Sequence, residues 1–142
     1  MSRTTAAALI TASLGLAGCG GAAHFADKSR PATTVNISVY VNDHQVSVAP
    51  ASVGAGPVAF GVVNDATTTE VVTIRSGDGK TAASTGPINP GTTAQVQADL
   101  TTGDYTVSSS AAQGQADSRT IRPAVLRMGK ARPNSNSAVL QP

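Results

Sequence analysis

Tryptophan is absent from this chain, and phenylalanine and tyrosine occur twice each. A core must therefore be built from Val, Ile, Leu and Ala, with buried branched side chains contributing roughly 1.5–3 kcal/mol apiece. Cysteine occurs once, at position 19, so no disulfide can close within the chain. No apolar run is long: the uncharged stretch Ala6–Leu16 falls short of the ~20 residues that a membrane-crossing helix needs. Charge is sparse and uneven. Thr33 to Ser118 hold two basic residues, Arg75 and Lys80, against seven acidic ones. Arg119 to Arg132 hold five basic residues and no acid. No basic platform interleaved with aromatic residues exists, which excludes nucleic acid as a partner.

What is present begins with the N-terminus. Arg3 gives a short positive region, Ala6–Leu16 an apolar one, and Leu16-Ala17-Gly18-Cys19 closes it. The pattern resembles a lipobox, the cleavage site of bacterial lipoprotein signal peptides. The resemblance implies cleavage before Cys19, with diacylglycerol on its sulfur and a further acyl chain such as palmitate on the new amino group. Each buried CH₂ contributes ~0.8 kcal/mol, so two or three chains hold firmly where one holds weakly. The expected location is the extracytoplasmic side of the cell membrane. With its thiol lipidated, the chain keeps no thiolate for metal binding or nucleophilic attack.

Cleavage leaves 124 residues (142 − 18), enough for one domain. Residues 19–32 read as a lipidated linker of small and polar residues. From Val35 the pattern changes, as Val35, Ile37, Val39 and Val41 alternate with Asn36, Ser38 and Tyr40. That is the period-two signature of a half-buried strand. Similar runs are expected at 46–48, 58–63, 71–75, 94–100, 105–109 and 118–122. Asp78-Gly79 favours a tight hairpin from 71–75 to 81–84. Pro123 would end the last strand or confine it to a sheet edge. Residues 129–142 read as a disordered basic and polar tail. Strands of this number and spacing predict an all-β, antiparallel sandwich over residues 33–128. Its inward side chains would be Val39, Val41, Phe60, Val62, Val72, Ile74, Val96, Leu100, Tyr105 and Val107. Leu100-Thr-Thr-Gly-Asp-Tyr105 has the form of a tyrosine corner.

Val58–Asn64, Thr69-Glu70-Val71-Val72, Ile88-Asn-Pro90-Gly91-Thr92-Thr93, Val96–Leu100 and Gly103-Asp-Tyr105-Thr-Val107 follow one another in a telling order. The order resembles the cupredoxin-like (Greek key) domain of extracytoplasmic iron-uptake lipoproteins, and it covers about half of the chain. The resemblance implies a metal site whose first imidazole position is Thr69 and whose thiolate position is Ser109. The second imidazole and the thioether fall near Ala112 and Asp117. A type 1 copper site needs two imidazoles, a thiolate and a weak axial ligand. Hydroxyl and methyl groups do not replace them, so no copper cofactor is expected. Glu70 alone stays in register with the carboxylates that the iron-uptake relatives use.

Other chemistry is thinly supplied. His24 falls in the linker and His44 in a turn beside Asn42 and Asp43. Ser108-Ser109-Ser110 lacks the Gly-x-Ser-x-Gly elbow that exposes a nucleophile. Asp99 and Asp104 flank a turn, where acids serve turn geometry. The expectation is a membrane-anchored, non-catalytic binding or accessory module. Its partners would be the membrane through the lipid, and an envelope protein or anionic envelope polymer. The alternative is an accessory metal-binding lipoprotein of iron or copper acquisition, using Glu70, Asp65 and His44 in a weak oxygen-rich site.

Overall fold

The computed structural model describes residues 31–114 and 120–134; the lipobox at Leu16, Ala17, Gly18 and Cys19, most of the linker and Asp117 lie outside them. All the elements among the described residues are strands: β1 (Val35–Val41), β2 (Val46–Ala49), β3 (Ser52–Gly54), β4 (Gly56–Asn64), β5 (Glu70–Ser76), β6 (Thr81–Ser84), β7 (Thr93–Leu100), β8 (Gly103–Ala111) and β9 (Ala124–Gly129). They form a four-stranded sheet in the order β2-β1-β4-β7 and a five-stranded sheet in the order β3-β9-β8-β5-β6. The result is an all-β sandwich of two sheets, as expected. Pairing is antiparallel except at two seams, where β1 runs parallel to β4 and β3 parallel to β9. Antiparallel neighbours need only a tight turn, whereas a parallel pair needs a crossover. The crossover here is made by β2 and β3 (chain order β1-β2-β3-β4), and it carries the chain from one sheet to the other and back.

Alternation along each strand fills the space between the sheets. Ile37, Val39 and Val41 of β1 are buried, as are Val58, Phe60 and Val62 of β4, Val72 and Ile74 of β5, and Leu126 and Met128 of β9. Phe60, the largest of the fully buried side chains, sits in the middle of β4. Val96, expected inside, is only partly buried and packs against the core from β7, an edge strand.

Two turn expectations hold. β5 and β6 form a hairpin through Asp78-Gly79, and Gly79 has φ +83°, a conformation that glycine adopts without steric cost. The amide of Gly79 donates to the Ser76 carbonyl at 2.8 Å. At the tyrosine corner, the Thr101 amide donates to Tyr105 Oη at 3.2 Å, which ties the β7–β8 turn to the core side of β8.

The C-terminal region departs from expectation. No strand covers residues 118–122 in the described part; Arg122 makes a single parallel bridge to Gln45. The last strand begins after Pro123, and for part of its length it lies inside the sheet between β3 and β8. Pro123 lacks an amide donor and separates the bridge from the strand. The alternation that marks β9, with Leu126 and Met128 inward around Arg127, is local and legible. The chain also stays pinned beyond residue 129. The Arg132 amide donates to the Ala55 carbonyl at 2.9 Å, and its guanidinium donates to the Gly54 carbonyl at 2.6 Å and to the Pro57 carbonyl.

Candidate functional site

Strand parity carries polar residues into one end of the sandwich. Asn64 continues the inward face of Val58, Phe60 and Val62, and Glu70 begins the inward face of Val72 and Ile74. Ser109 continues the face of Tyr105 and Val107 on β8. Asn64 and Glu70 are the two buried polar or charged residues of the described chain, each 0% exposed. Burying such groups is unfavourable unless hydrogen bonds replace their water.

The replacement is extensive. Asn64 Nδ2 donates to the carbonyls of Thr68 and Ile88, both at 2.8 Å. Its Oδ1 accepts from the Ala66 amide at 2.9 Å. The Asn64 side chain therefore folds the β4–β5 connection over itself, as Asx side chains do at turns. The carboxyl of Glu70 accepts the Thr68 hydroxyl on Oε1 and the Ser109 hydroxyl on Oε2, both at 2.7 Å. Glu70 also exchanges backbone hydrogen bonds with Ile88, at 3.0 and 2.8 Å. The Thr69 hydroxyl donates to Asn89 Oδ1 at 3.1 Å. The Thr69 carbonyl accepts the Ala112 amide at 2.9 Å.

Sequence reasoning singled out Glu70, Asp65 and His44 as an alternative ligand set. Glu70 is buried in this polar cap. Asp65 is exposed and accepts the Tyr40 hydroxyl. That hydrogen bond holds the Tyr40 phenol above its ordinary pKa, because the proton bridges to a carboxylate. His44 is exposed in the β1–β2 turn; its amide donates to Asn42 Oδ1 at 2.9 Å, and its carbonyl accepts the Arg122 amide. Among the described residues, no three His, Cys, Asp or Glu side chains come together in a way that could hold a metal ion.

Among the described residues, a concavity lies at the opposite end. It is a groove of about 500 Å³ whose walls include Ser76, Asp78, Lys80, Thr102 and Asp104. Asp78 accepts the Ser76 hydroxyl and meets Lys80 Nζ at 3.0 Å. The Ser76 hydrogen bond, with help from Lys80, lowers its pKa to about 2. An acid held that low carries no proton to give near neutral pH. Asp104 stands 4.0 Å from Arg127 Nε.

What the sequence did not announce is the use of Ser109. Its neighbours Ser108 and Ser110 look identical in the sequence, and only strand parity separates them. The alternation that was read for Tyr105 and Val107, carried two residues further, would have found it.

No family model matches the chain, and no curated protein does. Among solved structures it is similar to the sodium dithionite-reduced auracyanin of the photosynthetic bacterium Roseiflexus castenholzii, with 14% sequence identity and a TM-score of 0.47. The likeness covers 70% of this chain and 98% of that one.

Proposed function

We propose that this chain is a lipid-anchored extracytoplasmic protein whose cupredoxin-like sandwich serves as a non-catalytic binding or accessory module without a type 1 copper site. One observation carries the second half of that reading. Ser109, at the position where the resemblance calls for a thiolate, turns its hydroxyl onto the buried carboxyl of Glu70. Thr69, at the first imidazole position, is engaged with Asn89. A hydrogen-bonded polar plug thus stands where soft ligands would be needed for copper. The first half rests on Leu16-Ala17-Gly18-Cys19.

The place where the chain enters the fold supports one orientation of the module. β1 starts at Val35 opposite Val58 and ends at Val41 opposite Asn64, so the chain arrives from its linker at the end away from the polar cap. An anchor at Cys19 would turn the loops around Asn42–Gln45 and Asp65–Thr69 outward, to an envelope protein or polymer.

Two measurements test this. In a bacterial host the full chain should fractionate with membranes, and Cys19→Ser should release it; retention of that variant rejects lipid anchoring. Purified Cys19→Ser protein should melt at the same temperature with and without cuprous, cupric, ferrous or ferric ions, because a ligand specific to the folded state must raise the melting temperature. Stoichiometric binding tighter than micromolar, lost in Glu70→Ala, replaces the module with a metal-acquisition role.

A further inference from the structure

One stretch of the chain, along two edge strands, carries no charge. From Thr81 to Ala98, through β6, the connection after it and most of β7, there is no Asp, Glu, Lys, Arg or His. Thr81, Ala82, Ser84, Thr93, Gln95 and Gln97 are its exposed strand residues. Depletion of charge is what distinguishes the centre of a protein–protein interface from ordinary surface.

Among the described residues, the same stretch holds an edge that lacks the usual protection. A sheet edge presents unpaired amide and carbonyl groups, and proteins blunt it with short strands, proline, lysine or irregular pairing. The two sheets have four edges: β2 and β7 in one, β3 and β6 in the other. β2 has four residues and runs into Pro50, and β3 has three. β6 has four, and its pairing with β5 shifts register between Ile74 and Arg75. β7 has eight residues, pairs with β4 from Thr93 to Leu100 without a shift, and contains neither proline nor lysine.

We propose that β7 is a self-association edge, which pairs antiparallel with β7 of a second copy of this chain. The strand is complementary to itself. Turned about a two-fold axis at Val96, it sets Gln95 against Gln97, Ala94 against Ala98 and Thr93 against Asp99. No like charges meet across such a seam, and the two glutamine pairs offer matching donors and acceptors. The contact is isologous, so it closes at two copies and leaves no edge of β7 to recruit a third. It joins the two four-stranded sheets into one continuous sheet. A single strand pair buries less than the roughly 1,200 Å² of stable interfaces, so the dimer is weak and concentration-dependent. This inference does not depend on the lipid anchor.

Sedimentation equilibrium of the Cys19→Ser chain, from micromolar to millimolar concentration, should show the mass rising from monomer to dimer. Gln95→Lys combined with Gln97→Lys places ammonium groups opposite one another and should weaken association by about tenfold or more. Asn36→Lys combined with Ser38→Lys lies on exposed positions of β1, inside the sheet, and should leave association unchanged. In the same background, a mixture of Gln95→Cys and Gln97→Cys proteins should form a mixed disulfide under mild oxidation far faster than either protein alone. A monomer at all concentrations overturns the proposal. So does association that ignores the β7 lysines or that falls equally with the β1 pair, and so does a mixture that cross-links no faster than its components.

Discussion

At the scale of residues, the polar cap is a matter of a few hydroxyls satisfying one carboxyl. Ser109→Ala removes a hydrogen bond to Oε2 of the buried Glu70. A buried acceptor left short of a donor costs about 1–3 kcal/mol, so chemical denaturation should report a loss of that size, while Ser110→Ala, on an exposed position, should report almost none. Asp78 gives a pH signature of the opposite kind, at the surface. Its folded pKa of about 2 lies below the ordinary value of 3.8. A lowered acid contributes stability that is present above its unfolded pKa and is lost as pH falls through the folded one. The melting temperature should therefore carry a small component that declines between about pH 4 and pH 2. Asp78→Asn should remove that component and leave the neutral melting temperature little changed, since the group is exposed to solvent screening.

At the scale of elements, the corner between β3 and β4 and the end of β9 form one unit. Arg132 reaches into the turn Gly54-Ala55-Gly56-Pro57, and the turn admits it only because two glycines leave room. A Cβ on Gly54 would stand 2.8 Å from Arg132 Cγ and 2.9 Å from the Lys130 carbonyl. Gly56 has φ +131°, and a Cβ there would stand 3.0 Å from Arg132 Nη2. The guanidinium is held by carbonyls, which suit its fork of donors as a flexible ammonium would not. Arg132→Ala should cost about 2 kcal/mol in denaturant melts, in keeping with hydrogen bonds from a charged group. Arg132→Lys should recover little of it. Gly54→Ala should be destabilising on its own and less so in the Arg132→Ala background, a coupling that a double-mutant cycle reads directly. The clasp also accounts for β3, which has three residues and one paired neighbour, β9. Without Arg132 that short parallel seam has little to hold it.

At the scale of the whole molecule, chain entry, polar cap and open edge lie on different surfaces. The chain enters β1 at one end, Asn64 and Glu70 close the other, and β7 runs along a side between them. β4 spans nine residues at roughly 3.3 Å each, so the two ends stand about 30 Å apart. If Cys19 carries the proposed lipid, then on vesicles a fluorophore at Thr67, beside the cap, should transfer less energy to lipid-bound acceptors than one at Thr102, near chain entry. Equal transfer from both would mean that the module lies on its side. A sandwich fixed end-on would keep β7 upright and open to a neighbouring copy on the same surface.

Alternation of apolar and polar residues is a property of neighbours along the chain, and it already specified most of the strands and their inward faces, while local turn residues specified the Asp78-Gly79 hairpin and the Tyr105 corner. The same local rule, carried to strand ends, places Asn64, Glu70 and Ser109 inside. Which strands meet across the two sheets is a long-range matter that alternation leaves open. Tertiary structure alone decided that β1 runs parallel to β4, that Ser109 finds Glu70, that the strand after Pro123 lies partly inside a sheet, and that Arg132 finds its glycine socket. The physical reason is that a side chain's parity is set by its own backbone, whereas its partner is set by the closure of loops that join distant segments.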